Sequence, residues 1–288
     1  MRKRKVFSLL ITLLIVLFFL YRIGDETGSS NFHFEEPWYL LVAFAAGIFA
    51  FLLYTASWYF ILGHAGVSFK KLLLLNLMGS YVSISVNSAL GTLIKCKYLG
   101  IGWVRSIGTS AMVAVFELLP GLFVLLLNGS WYAVPVVVLF LWAIFHEDSL
   151  YRVIAKPFEL LRQEKFIEEF YSGWKLAKKG NLPAAFISTL VQVFFSSLAL
   201  ISTGRAFGWE FKLTSAFVAV LYSTVLGMIG TPGGVGGNEL GIVLALDISG
   251  KAVGVAFLYK FLTQYVYIIP GAFVFYRVLS SQKSLLDE

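Results

Sequence analysis

Long apolar runs, separated by short polar punctuation, fill most of this chain. A membrane-spanning helix needs about 20 mostly apolar residues. The stretches 6–21, 38–62, 106–127, 132–145, 183–203 and 252–276 reach or approach that length and predict six full crossings, the first and fourth of them short. Two further apolar stretches are interrupted. Residues 72–100 carry Asn76, Ser80, Ser83, Ser85, Asn87 and Ser88, with an elbow expected at Asn87–Gly91. Residues 213–246 carry Thr231, Pro232, Gly233, Gly234, Val235, Gly236, Gly237, Asn238 and Glu239. Lipid offers no water to bare N–H and C=O groups, so irregular backbone at that depth must be buried in protein or line a cavity. Each interrupted stretch therefore reads as two half-length helices joined by a polar elbow, a re-entrant hairpin. The expected fold is an all-α polytopic membrane protein, one transmembrane domain over 1–288, with six spans and two hairpins.

Charge orients these segments. Arg2, Lys3, Arg4 and Lys5 precede the first run. That run lacks the small-residue cleavage site of a secretory signal and reads as a signal anchor with its N-terminus in the cytoplasm. The loop 22–37, with Asp25, Glu26, Glu35 and Glu36, then faces out, and 38–62 returns the chain to Lys70 and Lys71. A single crossing by 72–100 would put Lys95, Lys97 and Arg105 outside, against the positive-inside tendency. A hairpin returns them to the cytoplasm. Residues 146–181, with seven Lys/Arg and six Asp/Glu, land there too and read as a charged helix on the membrane surface. Both termini are expected in the cytoplasm. Arg205 and Lys212, left facing out, fit least well.

An internal repeat emerges from the same pattern. Gly66-Val-Ser-Phe69-Lys70 resembles Gly208-Trp-Glu-Phe211-Lys212, and Leu118-Leu-Pro120-Gly121-Leu-Phe123-Val124 resembles Ile268-Ile-Pro270-Gly271-Ala-Phe273-Val274. The two elbows fall between these matches in the same order. Repeat one covers about 37–127 and repeat two about 183–276, entering the membrane from opposite sides. That is an inverted repeat with opposed hairpins, a plan by which secondary transporters build a site at the midplane.

Composition agrees and narrows the chemistry. The 288 residues are 58% hydrophobic and 14% charged, with a mean hydropathy of +0.81, whereas soluble domains carry about a quarter charged residues. One cysteine, Cys96, excludes an internal disulfide. The net charge of +7 lies in short clusters at segment ends, which suits topology and anionic lipid head groups rather than nucleic acid. His33, His64 and His146 are scattered and form no metal-ligand pattern. The glycine loop lacks the Lys-Ser/Thr of a phosphate-binding loop, and no G-x-S-x-G marks a nucleophile. No cofactor, metal or catalytic residue is expected, and no soluble catalytic domain appears.

The candidate residues are therefore polar groups at membrane depth. Glycines in the 231–239 loop permit close backbone approach, either to a ligand or to a tightly packed helix. The second half-helix should start near Gly237–Asn238, where free N–H groups and the dipole favour an anion such as a lipid phosphate. Glu239, in its first turn, compensates that dipole, meets a cation, or pairs with a base. Lys260, a third of the way along 252–276, needs a counter-charge or phosphate partner, or else snorkels to the interface. Glu117 pairs with Lys95 or Lys260, or stays protonated and hydrogen-bonded. Lys95 faces the cavity or serves as a topology charge.

The loop resembles the P-G-G-[IVL]-G-x-x-E signature of the lysylphosphatidylglycerol synthase transmembrane-region family. Supporting resemblances run from about residue 38 to 276: Trp58-Tyr59-Phe60 before Gly63, the G-x-x-F of Gly66 and Phe69, Phe116-Glu117-Leu118-Leu119, and Leu258-Tyr259-Lys260-Phe261-Leu262. The family includes the flippase part of a bacterial peptide-resistance protein. The chain departs from its pattern where Asn87, Gly91-Thr92 and Lys95 replace an acidic, arginine-bearing elbow, where Leu118 follows Glu117 in place of arginine, and where Lys260 replaces arginine. The aminoacyl-transferase domain of the synthases is not in this sequence, so lysyl transfer is not implied. The resemblance implies instead a cell-membrane protein that moves a phospholipid or isoprenoid-linked amphiphile between leaflets. In that role Gly91, Asn87, Lys95, Glu117 and Lys260 would join the 231–239 loop along the path. An ion-coupled carrier of a small solute and an accessory protein of lipid modification are the alternatives.

Overall fold

The computed structural model describes residues 34–86, 88–160, 163–227, 237–246 and 252–280. The expected crossing at 6–21, Asn87, and Thr231, Pro232, Gly233, Gly234 and Gly236 lie outside the described residues. Among those described, the chain is helical throughout, with no strand.

Helix α1 (Tyr39–Leu62) closes in a short 3-10 turn ended by Gly66 at φ 80, a left-handed conformation open to glycine. Ser68 then caps α2 (Phe69–Ser85) by accepting the Lys71 N–H at 3.2 Å. Helix α3 (Ser88–Tyr98) follows, and α4 (Trp103–Leu127) runs unbroken through Pro120. After α5 (Val134–Phe145) come two charged helices, α6 (Glu147–Leu160) and α7 (Glu164–Lys178). Asn181 caps α8 (Leu182–Ala206), with Pro183 in its first turn, where a missing N–H costs nothing. The chain continues through α9 (Leu213–Gly227), α10 (Gly237–Leu246), α11 (Ala252–Thr263) and α12 (Ile268–Ser280).

Among the described residues, four helical stretches are long and apolar enough to cross a membrane: Tyr39–Ala65, Trp103–Leu127, Leu182–Ala206 and Gly254–Leu279. At about 1.5 Å per residue, α3 and α10 reach only about 16 and 15 Å, half of a hydrocarbon core of about 30 Å. With no hydrophobic force between helices inside lipid, association rests on close packing of small residues. The central pair shows this. Helices α1 and α8 run antiparallel along their whole length, tied by the Glu35 N–H to the Ala206 carbonyl (3.0 Å) at one end and the Asn181 N–H to the Phe60 carbonyl (2.8 Å) at the other. Between these ties lie buried Ala43, Ala46, Ala185 and Ala199.

Glycines close the two half-helix pairs. A Cβ on Gly91 in α3 would lie 2.5 Å from the Gly79 carbonyl oxygen in α2. One on Gly237 or Gly241 in α10 would lie 2.5 Å from the Leu226 or Tyr222 carbonyl oxygen in α9. The Pro-Gly steps of the sequence repeat make exchanged contacts. Gly121 in α4 abuts Leu221 in α9, while Gly271 in α12 abuts Leu77 and Tyr81 in α2. Each half therefore rests its Pro-Gly step on the first arm of the other half's pair.

Three expectations change. The stretch 252–276 is not one helix: it breaks at Gln264 (φ −131) and the 3-10 turn Tyr265–Tyr267, one turn before Pro270, whose ring removes an N–H and crowds the preceding turn. Segment 146–181 is two helices rather than one. Helix α7 buries Ile167, Trp174 and Ala177, and its backbone meets α4 where Gly173 faces Arg105 and Gly108 faces Phe170. Gly91 lies within α3 rather than in the elbow, because the position needs a missing side chain for packing, not for turning. Arg205 is accommodated where it stands. It donates to the Tyr39 hydroxyl at 3.2 Å and lies 3.9 Å from Glu210, beside the Glu35 end of α1.

Candidate functional site

Polar residues spaced at one helical turn inside apolar helices converge on a cavity of about 310 Å³. Gly47, Ala50, Phe51 and Tyr54 mark one face of α1, and Gln192 and Ser196 one face of α8. Gly79 and Ser83 come from α2, Gly91, Thr92 and Lys95 from α3, Glu117 from α4, Thr224 and Gly227 from α9, and Asn238 from α10. The break after α11 completes the wall with Thr263, Gln264 and Tyr267 beside Tyr259 and Lys260. Of the residues singled out by sequence, Gly91, Lys95, Glu117, Asn238 and Lys260 therefore share one cavity. Gly237 packs on Leu226 and Glu239 sits behind the wall.

The charged groups differ in how they are held. Lys95 is buried and donates from Nζ to the Tyr54 hydroxyl at 2.7 Å, with the ammonium 5.1 Å from the Tyr54 ring centre and 4.9 Å from that of Trp58. Such placement over ring faces adds to charge stabilisation. Glu117 is half-buried and faces the cavity. It couples electrostatically to Lys95 but makes no hydrogen bond or ion pair among the described residues. Lys260 is only 3% exposed, so it does not snorkel to the surface. Its Nζ lies 5.5 Å from the Tyr259 ring centre and has no hydrogen-bond or ion-pair partner among the described residues. Glu239 influences Lys260 through space, while its Oε1 accepts the Tyr265 hydroxyl at 2.7 Å.

A second, larger space adjoins the first. It is a groove of about 960 Å³, lined by apolar residues of α2, α3 and α12 such as Val82, Leu90, Leu93 and Phe275, with Lys97 and Trp103 among its walls. Helix α3 forms the partition: Gly91, Thr92 and Lys95 face the polar cavity, and Leu90, Leu93 and Ile94 face the groove.

Sequence reasoning had not singled out Tyr54, Tyr265 or Gln192. The first two are aromatics in an aromatic-rich chain, marked only by the charged group each contacts in space. Gln192 carried a usable signal, being an amide in the middle of the apolar helix α8.

Comparison with known proteins adds one finding. A family described as the lysylphosphatidylglycerol synthase TM region matches residues 5–271. No curated protein and no solved structure matches the chain. The match takes in both half-helix pairs and the cavity between them, and this multi-pass membrane protein thus belongs to the lysylphosphatidylglycerol synthase TM-region family.

Proposed function

We propose that the protein moves a lipid, or an isoprenoid-linked or similar amphiphile, between the leaflets of the cell membrane, without performing a reaction on it. The observation that carries this reading is the pairing of a polar cavity with an apolar groove across the single short helix α3. A head group crosses through the first while its tails stay in the second. The half-helix pairs α2–α3 and α9–α10 act as opposed re-entrant hairpins of an inverted repeat, with both chain termini cytoplasmic. The exchanged Pro-Gly contacts and the short second arms support this arrangement. Membrane lipids are then the natural partners.

Reconstitution into liposomes bearing labelled lipids in one leaflet tests the reading. Protein should accelerate exposure of label to an impermeant quencher, and equal rates with and without protein across several lipids would sink it. One observation favours a second reading, the ion-coupled carrier of a small solute: Glu117 faces the cavity with no hydrogen-bond partner among the described residues. In that case uptake requires an ion gradient and stops in Glu117→Gln.

A further inference from the structure

The apolar groove has a counterpart that is covered. The exchanged Pro-Gly steps set out two like seams: Gly271 of α12 abuts Leu77 and Tyr81 of α2, and Gly121 of α4 abuts Leu221 of α9. Counting on equally from Pro120 and Pro270, Leu125 and Leu126 of α4 stand where Phe275 and Tyr276 stand in α12. Phe275 and Tyr276 line the groove together with Tyr81 and Val82. Leu125 and Leu126 are packed instead in one cluster with Leu122, Leu221 and two residues at the head of α5, Ala133 and Val137. The hydroxyls repeat the difference. Those of Tyr81 and Tyr276, both in the groove wall, lie 2.8 Å apart, whereas that of Tyr222 in α9 lies 3.3 Å from that of Tyr132, just ahead of α5.

Helix α5 is held over its seam by few residues. It buries only Val137, Ala143 and Ile144, and the last two belong to the main core at its far end, in one cluster with Leu119 and Trp174. Val136, Val138 and Leu139 between them are exposed. The link from α4 runs through Gly129, at φ 81 with open space where a Cβ would stand, so a change of backbone angle there re-aims the head of α5 without displacing a neighbour. Beneath the cover the polar cavity is near, since Glu117 and Thr224 of its wall come from α4 and α9 themselves.

We infer that α5 is a movable cover over a second lateral opening, the repeat counterpart of the groove. With α5 seated, as in this structure, tails approach the polar cavity from the groove side. With its head lifted they approach from the α4–α9 side, so the two openings serve opposite halves of the inverted repeat. The inference rests on the translocation reading and supplies its moving part.

The experiment ties the head of α5 to α9. Tyr132→Cys and Tyr222→Cys are made together in the full chain, with the buried Cys96 left in place. A bis-methanethiosulfonate about as long as the two removed side chains bridges them, and a reductant releases it. The protein is reconstituted in phosphatidylglycerol–phosphatidylethanolamine liposomes with fluorescent phospholipid in one leaflet. Bridging should slow exposure of the label at least tenfold, reductant should restore it, and a one-armed methanethiosulfonate on the same cysteines should change it less than threefold. Val137→Cys with Leu221→Cys, from the same cluster, serves if the first pair does not fold. An exposure rate that the bridge leaves unchanged overturns the inference, as does equal slowing by the one-armed reagent. In either case the translocation reading stands. If the unbridged protein exposes no label, that reading fails and the inference falls with it.

Discussion

Tyr54→Phe isolates the device that holds a charge inside the membrane. The change keeps the ring, and with it the aromatic face 5.1 Å from the Lys95 ammonium, and removes only the hydroxyl that accepts from Nζ at 2.7 Å. A hydrogen bond to a charged partner contributes about 1.5–3 kcal/mol. At about 2–4 °C per kcal/mol for a chain of this order of size, the melting temperature in detergent should fall by roughly 3–12 °C. The seven tryptophans give an intrinsic fluorescence readout. Lys95→Met removes the charge together with the need to stabilise it, so on that background Tyr54→Phe should cost little. The cycle should yield a coupling of at least about 1 kcal/mol, as expected for groups in direct contact. If Tyr54→Phe lowers the melting temperature equally on both backgrounds, the hydroxyl is not stabilising the ammonium and the cradle reasoning is wrong.

Other perturbations probe the remaining parts of the structure. Gly91→Val forces atoms into the space between α3 and the Gly79 carbonyl, 2.5 Å from where a Cβ would sit, and should cost at least the 1–3 kcal/mol of ordinary overpacking. Gly129→Ala, at φ 81 with open space around it, should cost only about 1 kcal/mol of backbone strain, which parallel thermal unfolding of the two variants checks. Gly173→Ala should lift α7 from α4, where the Gly173 carbonyl accepts from Thr109 at 3.0 Å, and limited proteolysis within 146–181 should accelerate. On the charged segment, the Tyr171 hydroxyl and then Lys175, 3.3 Å away, hold the Asp148 carboxyl below its usual range. A carboxylate lowered in the folded state stabilises above its unfolded pKa and loses that contribution as pH falls through the folded value. Acid should therefore loosen α6 from α7 below about pH 4, an effect that proteolysis detects and Asp148→Asn removes.

The spans at 38–62, 106–127 and 183–203 were legible because lipid imposes one rule on every crossing, satisfied backbone inside an apolar run, and that rule acts on sequence locally. The interrupted stretch 72–100 was legible for the same reason: polar residues interrupt an apolar run, and α2 ends at Ser85 before α3 begins at Ser88; the interruption of 213–246 falls outside the described residues. The break at Gln264–Tyr267 was not legible. Pro120 and Pro270 sit in the same motif, yet α4 continues through the first while the chain breaks ahead of the second. The difference lies in the neighbours. Tyr267 turns toward α1 and donates to the Gly47 carbonyl at 3.1 Å, a contact between residues 220 positions apart. The fate of residues 146–181 was hidden likewise, since Gly108 and Gly173 mark a helix contact only once their partners are known. Lys95 and Glu239 were visible as charges out of place, but their partners were not, because the hydroxyls of Tyr54 and Tyr265 look like any others in a chain with 14 tyrosines.

The placement of those charges constrains how the two halves can move. Within the cavity, Lys95 couples to Glu117 and Tyr54, all in the first half of the chain. Lys260 feels Glu239, which accepts from Tyr265, all in the second half. Across the halves no buried charge is engaged among the described residues: the contacts are the Tyr267 hydroxyl on the Gly47 carbonyl, Gly47 against Thr263, the exchanged Pro-Gly steps and, at the two ends of α1 and α8, backbone ties with the exposed Arg205 on Tyr39. Rocking one half against the other would then repack small residues and aromatics without separating a buried charge from its partner, which is the expensive event in lipid. Gly121 is where this reasoning is most exposed. A Cβ there would lie 2.7 Å from the Leu221 Cβ, so Gly121→Val wedges α4 against α9 at the seam and touches neither lysine nor the cavity wall. It should slow head-group exposure in liposomes at least tenfold while the affinity for a short-chain phospholipid in detergent changes less than threefold. If exposure and affinity fall together, the seam belongs to the binding site rather than to the motion.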